Sequence, residues 1–276
     1  VWIANYPLGV TIRDDRYSAN KIYTHTANNE QSLVNNTVNH VIEDSEGDLW
    51  FATDNGVCFY DNKEGKWHSF LSSADATCSE KCNVFLSICE DTPGIFYVGG
   101  FASNIYQIDK NKLKAEIISH EKFPQTFIKP NKYIRSIIKG SNNNLWIGGY
   151  YSLKSINLST QLAKLYYDVD DITVLLEKDK NSIWVGSASG LYLLDKNSGT
   201  FTNIQLPVLS SYIYSLCQAN GKLFIGTNGS SFLVYDYEND TFEHYHKDNS
   251  SLISNNIYTI LAQNDSIILS TSKGLT

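Results

Sequence analysis

The sequence predicts an all-β fold, a seven-bladed β-propeller of four-stranded antiparallel blades with incomplete terminal blades, and three observations predict it. One short phrase returns seven times, its second position falling at residues 2, 50, 97, 146, 184, 224 and 268. The period is roughly forty to fifty residues, as in arrays of small sheets. Each period holds four short apolar segments rich in β-branched and aromatic residues, joined by polar turns. No helical stretch separates them.

The four segments of a period are named a to d. Segment a has two apolar positions spaced by three and then a third, as in Val38, Val41 and Ile42, Phe85, Ile88 and Cys89, or Ile172, Leu175 and Leu176. That spacing could suit a helix, but the β-branched content and a turn after about seven residues favour a short buried strand. The turn, for instance Glu43-Asp44-Ser45-Glu46-Gly47-Asp48, uses residues that tolerate tight geometry. Segment b is the phrase itself, Leu49-Trp50-Phe51-Ala52-Thr53 in its fullest copy. Its fourth position is always small (Ala4, Ala52, Gly99, Gly148, Gly186, Gly226, Ser270), which predicts close approach of neighbouring backbones. Segment c, such as Val57-Cys58-Phe59-Tyr60, ends on Asp14, Asp61, Asp109, Asn157, Asp195 or Asp236. Segment d, such as Trp67-His68-Ser69-Phe70, is the edge strand. The first blade lacks segment a and the last lacks segment d.

Charged residues make up 18% of the chain and the net charge is -7, which opposes a nucleic-acid partner because such proteins carry a basic stripe. No apolar run reaches the roughly eighteen residues of a membrane span, and no charged-then-apolar leader is present. The chain starts inside a repeat at Val1-Trp2, stops inside another at Gly274-Leu275-Thr276, and holds no methionine. The expectation is a single propeller domain over 1–276, taken from a longer multidomain chain.

Two copies carry a lead-in of the form S-L-x-x-N-x-[V/I], Ser32 to Val38 and Ser251 to Ile257. Continued through Val41-Ile42-Glu43-Asp44, Gly47-Asp48-Leu49-Trp50 and Asn55-Gly56-Val57, the pattern resembles the two-component regulator propeller repeat. The copy at 32 to 61 is close to that pattern, those at 172 to 195 and 213 to 236 are good, and those around 97 and 146 are degenerate. The resemblance implies a sensory ectodomain of a Bacteroidetes hybrid two-component system, on the periplasmic side of the inner membrane. It further implies a second propeller and a β-sandwich domain in the same chain, a homodimer, and a membrane helix and histidine kinase outside this sequence. Its implied signal is an oligosaccharide. The competing readings are a scaffold propeller of a cell-surface or secretion complex and, behind it, a propeller lyase or hydrolase.

In a propeller the loops from d to the next a and from b to c emerge on one face. Here they carry Asn5, Tyr6, Asn55, Phe101, Tyr133, Arg135, Tyr150, Tyr151, Tyr212, Tyr214, Asn228 and Tyr258. A sugar offers an apolar C–H face for tyrosine stacking and a rim of hydroxyls for amides and Arg135. The plainer reading is that these residues close the ends of the blades or meet a neighbouring domain.

No catalytic residues are expected. Glu43-Asp44 and Glu90-Asp91 recur where turns need them, and neither HExxH nor G-x-S-x-G is present. Asp168, Asp170 and Asp171 lack the oxygen-ligand spacing of a calcium loop. Cys58, Cys89 and Cys217 read as small apolar residues of strands, whereas Cys78 and Cys82, close together in a polar loop, could pair as a disulfide. His244 and His246 would share a strand face, and the sequence favours a solvated edge over a metal site. No cofactor and no metal are expected.

Overall fold

The computed structural model describes residues 2–5, 8–12, 21–73, 83–101, 104–118, 133–208, 212–263 and 266–276. They form a seven-bladed β-propeller of antiparallel sheets, one sheet for each copy of the phrase, and no described residue is helical. The chain divides into two units, Val1–Lys139 with Leu158–Ala163, and Gly140–Asn157 with Lys164–Thr276.

In the first unit, blade 1 is β1 (Trp2–Asn5), β2 (Gly9–Ile12) and β3 (Lys21–Tyr23). Blade 2 is β4 (Val38–Glu43), β5 (Leu49–Thr53), β6 (Gly56–Asp61) and β7 (Lys66–Phe70). Blade 3 is β8 (Phe85–Thr92), β9 (Ile95–Gly100), β10 (Ile105–Asp109) and β11 (Lys114–Ile117). Blade 4 comprises β12 (Ile134–Gly140), β13 (Asn144–Gly149), β14 (Leu153–Asn157) and β15 (Ala163–Tyr166), and the division between units runs through it.

The second unit continues with blade 5, formed by β16 (Ile172–Asp179), β17 (Ser182–Ser187), β18 (Gly190–Asp195) and β19 (Phe201–Ile204). Blade 6 is β20 (Ile213–Ala219), β21 (Lys222–Thr227), β22 (Phe232–Asp236) and β23 (Thr241–Tyr245). Blade 7 is β24 (Ile257–Gln263), β25 (Ser266–Thr271) and β26 (Gly274–Leu275). The terminal sheets have three strands each among the described residues, the first beginning on its b strand and the last ending on its c strand.

A β-bulge explains the helix-like spacing of segment a. Val38 pairs with Thr53 and His40 with Ala52, so Asn39 is left out of the ladder. The same register shift falls at Leu86, Thr173, Tyr214 and Tyr258. One extra residue resets the alternation of faces, so positions three apart point the same way. Phe85 and Ile88, Ile172 and Leu175, and Ile257 and Ile260 are accordingly all buried.

The small fourth position of segment b is crowded mainly by side chains, from its own blade and from the following one. A Cβ on Gly148 would lie 2.5 Å from Ile172 Cγ2; one on Gly186 would lie 2.6 Å from Val174 Cγ1 of its own blade and 2.9 Å from Ile213 Cγ2; and one on Gly226 would lie 2.4 Å from Ser215 Oγ of its own blade and 2.9 Å from both Cγ2 and the backbone carbonyl of Ile257. Each of these isoleucines opens the next a strand, and Gly99 meets Ile134 in the same way at 3.0 Å. The core is therefore a series of clusters between successive blades. In one, the fully buried Trp50 stacks on Phe59 at 4.6 Å and on Phe96 of the next blade at 3.9 Å. Burying such a ring stabilises by about 2–3 kcal/mol.

Two further repeat positions fold the hairpins. The last residue of segment b caps the turn to c: Thr53 Oγ1 donates to the Gly56 carbonyl at 2.8 Å and accepts from the Asn55 N–H at 3.1 Å. Thr271 does the same around Gly274. Gly56 sits at φ 103 with the Phe70 carbonyl 2.6 Å from where a Cβ would stand, so only glycine fits. The aspartate closing segment c accepts backbone N–H groups of the next turn, Lys63 and Glu64 on Asp61 at 2.8 Å each, and Asn197 on Asp195 at 2.7 Å. Those bonds, with the Glu64 N–H foremost, hold the Asp61 carboxyl below its usual range.

Candidate functional site

Backbone hydrogen bonds fix which loops share an end of each sheet. The residue after segment b donates to the one before segment a of the same blade: Asp54 to Thr37, Phe101 to Val84, Ala188 to Asp171 and Asn228 to Tyr212, at 2.9–3.1 Å. The turn from b to c also reaches the next blade, Gly56 to Asn83 at 2.7 Å and Ser231 to Asn255 at 2.9 Å. Each of these b-to-c turns thus shares an end of its sheet with the loop that enters strand a, and two of them also reach the entrance of the next blade.

In the first unit Phe101 and Tyr133 meet edge to face, with ring centroids 5.8 Å apart. The Arg135 guanidinium lies over the Tyr133 ring, 5.0 Å from its centroid, and donates to its hydroxyl at 3.3 Å. Phe101 is exposed and the other two are half-buried. Asn55 is committed elsewhere, its side-chain oxygen accepting from the Ser73 N–H at 2.9 Å. Tyr6, Cys78 and Cys82 lie outside the described residues, and so does the side chain of Asn5.

In the second unit Tyr212, Tyr214 and Tyr258 form a ladder, with centroids 5.1 and 5.3 Å apart. Tyr258, at its far end, is 45% exposed. Asn228 is joined to the ladder through its backbone bond to Tyr212. Tyr150 and Tyr151 form a separate exposed pair, centroids 4.8 Å apart. The Tyr150 carbonyl accepts from the Asp171 N–H at 2.8 Å, so the Asp168 to Asp171 loop serves as the entrance to β16. Tyr214 and Tyr258 stand at bulged positions of their strands. A bulge turns a side chain out of the ladder. Ring faces and hydroxyls presented together can stack on an apolar ligand face and bond its rim.

The recurring acids are structural. Ser45 donates to Glu90 of the next blade from both its N–H and its hydroxyl, each at 2.8 Å, and Ser141 binds Glu177 of its next blade in the same two ways. Asp91 pairs with Lys139. Asp44, Glu46 and Asp48 converge closely enough to hold a metal ion, and the cation among them is the Lys110 ammonium, 2.7–2.8 Å from each. Burial works against both charges there. The three carboxylates nevertheless raise the Lys110 pKa, and Lys110, the Trp50 indole N–H and two backbone N–H groups hold Asp44 below its usual range.

The sequence does not disclose this latch, because its partners are up to 66 residues apart. The lead-in motif is likewise structural. Leu33 is fully buried between blades 1 and 2 with Val10, Phe51 and Trp67. Asn36 and Asn255 clamp the N–H groups of His25 and Lys247. Cys58 is buried, Cys89 and Cys217 are half-buried, and burial pushes the thiols of Cys58 and Cys89 up to about 12.

Fold and site together define a repeat propeller that presents aromatic groups at the strand-a ends of its sheets. Residues 32–55 and 128–151 match the two component regulator propeller family. The second match corrects the reading of the copy around Trp146 as degenerate. No curated protein matches the chain. Among solved structures, the extracellular domain of a hybrid two component system from B. thetaiotaomicron is similar over 99% of this chain and 37% of its own, at 22% identity and a TM-score of 0.83. The extracellular domain of another such system from the same organism is similar at 19% identity and a TM-score of 0.80, over 99% of this chain and 38% of its own. The WD40 β-propeller domain of Doa1 is similar at 15% identity and a TM-score of 0.69, over 96% of this chain and 83% of its own. The chain thus spans little more than a third of the length of the two extracellular domains.

Proposed function

We propose that this chain is the non-catalytic sensor propeller of a hybrid two-component signalling protein, on the periplasmic side of the inner membrane. In this reading it is one domain of a longer, homodimeric chain with a second propeller and a β-sandwich, and it binds an oligosaccharide or relays its binding. The observation that carries the reading is the pair of family matches, 32–55 and 128–151. The similarity to two extracellular domains of hybrid systems supports it. The aromatic groups around Tyr133 and Tyr214 are the surfaces it assigns to a sugar.

Calorimetric titration of the chain with a panel of oligosaccharides tests direct binding. The expected result is heat with at least one glycan, weakened by Tyr258→Ala or Tyr133→Ala. Heat only from a longer ectodomain moves the site to a domain interface. Heat from neither overturns the reading, and turnover of a glycan overturns its non-catalytic part.

A further inference from the structure

The edge strand β23 ends on His244-Tyr245 with His246 directly after it, and continued alternation places the two imidazoles on one face. Their ring centroids are 5.2 Å apart. An ion bound about 2.0–2.1 Å from an imidazole nitrogen stands about 3.2 Å from the ring centre, so two rings at a tetrahedral angle have centres about 5.2 Å apart. Histidines that hold metals also give their other ring N–H to a carbonyl or carboxylate, which fixes the tautomer. One acceptor is in place, the Ser230 carbonyl 2.9 Å from His244 Nε2; the Asp248 carboxylate, 3.7 Å from His246 Nδ1, stands just beyond hydrogen-bond distance.

We propose that His244 and His246 form a two-histidine site for a divalent transition-metal ion of the zinc class, bound through His244 Nδ1 and His246 Nε2, with water completing the coordination. Imidazole nitrogens suit zinc, copper and nickel. Without metal, His246 Nδ1 accepts the Asp248 N–H at 3.3 Å. Coordination through Nε2 needs the neutral ring's proton on Nδ1, so the Asp248 N–H has to turn away and the Asp248 carboxylate take its place. None of its residues belongs to the aromatic groups around Tyr133 and Tyr214, so its failure leaves that reading untouched.

The test is titration of the whole chain with Zn2+ alone, by calorimetry and by NMR of the histidine ring nitrogens. The expected result is one ion per chain that is lost in the double variant His244→Gln, His246→Gln, and weakened about tenfold by Asp248→Asn. The His246 proton should move from Nε2 to Nδ1 as zinc is added. Both histidines are half-buried at an edge, and an unchanged melting curve shows that the variants fold. Equal zinc binding by the double variant, no binding by the parent, or an unmoved His246 tautomer overturns the proposal.

Discussion

His40 shows how much a single repeat position can be asked to do. Its Nδ1 accepts the N–H of Ile88 on the next blade at 3.2 Å, a bond that only an unprotonated Nδ1 can make. Ser87, at the same position one blade on, accepts the Ile137 N–H at 2.9 Å. Burial pulls the His40 pKa from 6.5 to about 4. Between those values the unfolded chain binds a proton that the folded chain does not, so stability falls as pH drops from 6.5 toward 4, by up to about 3 kcal/mol. His40→Ser keeps an acceptor and removes the titration. Unfolding measured at pH 7 and pH 4.5 should show the parent losing more stability than the variant, and equal losses would contradict this assignment.

Lys154 is a second case. Buried on β14, it has its pKa pulled from 10.5 to about 8 by desolvation. A depressed lysine pKa means that stability is penalised below pH 8 and recovers as pH rises toward 10.5. Lys154→Met should raise stability at pH 7 by about 2–3 kcal/mol, with the gain shrinking above pH 8. A gain that does not vary with pH would assign the effect to packing. Neither case is legible in the sequence, where His40 and Lys154 look like ordinary polar residues of strands and only three-dimensional burial sets them apart.

At the level of the blade, the same few positions join each sheet to the next. The small residue of segment b receives the isoleucine that opens the next a strand, and the serine after segment a is bound by the next blade's glutamate. Gly148→Ala would place a methyl 2.5 Å from Ile172 Cγ2, and the repacking should cost about 1–3 kcal/mol in chemical denaturation. A neutral result would show that the contact is slack. Lys110→Met leaves Asp44, Glu46 and Asp48 together without their cation, and removing one partner of a buried pair costs about 3–5 kcal/mol. Restoration of most of that loss by adding Asp44→Asn would show that the cost lies in the uncompensated carboxylate. The strands themselves were readable, since apolar spacing, turn residues and the aspartate closing segment c are local signals. The bulge was not, because a spacing of three has no unique local meaning until the pairing of Val38 with Thr53 and His40 with Ala52 is seen.

For the molecule as a whole, repetition makes the fold legible and leaves the site obscure. Every blade solves the same packing problem, so Trp50, Trp146 and Trp184 announce themselves by period. The bulged positions differ from blade to blade, with Asn39, Leu86, Thr173, Tyr214 and Tyr258 at the shifts. Arg135 occupies the matching position of β12. Asn39 and Thr173 spend their side chains on the next blade, bonding the carbonyls of Phe85 at 2.9 Å and Ile213 at 2.6 Å. Tyr258 instead stands exposed at the end of an aromatic ladder. Sequence alone could gather the candidate loops but could not separate Asn55, whose side chain accepts the Ser73 N–H, from the tyrosines to which the proposed function assigns recognition.

Repeat positions build the blades, and in the proposed function the loop ends meet the ligand. Backbone amide NMR of the chain, recorded while a glycan found by calorimetry is added, separates the two roles. Shifts are expected only at the strand-a entrances and b-to-c turns, around Phe101, Arg135, Tyr214, Asn228 and Tyr258. Shifts centred on the edge strands or on the turns after Asp61, Asp109, Asp195 and Asp236, with those loops silent, would contradict this assignment of roles.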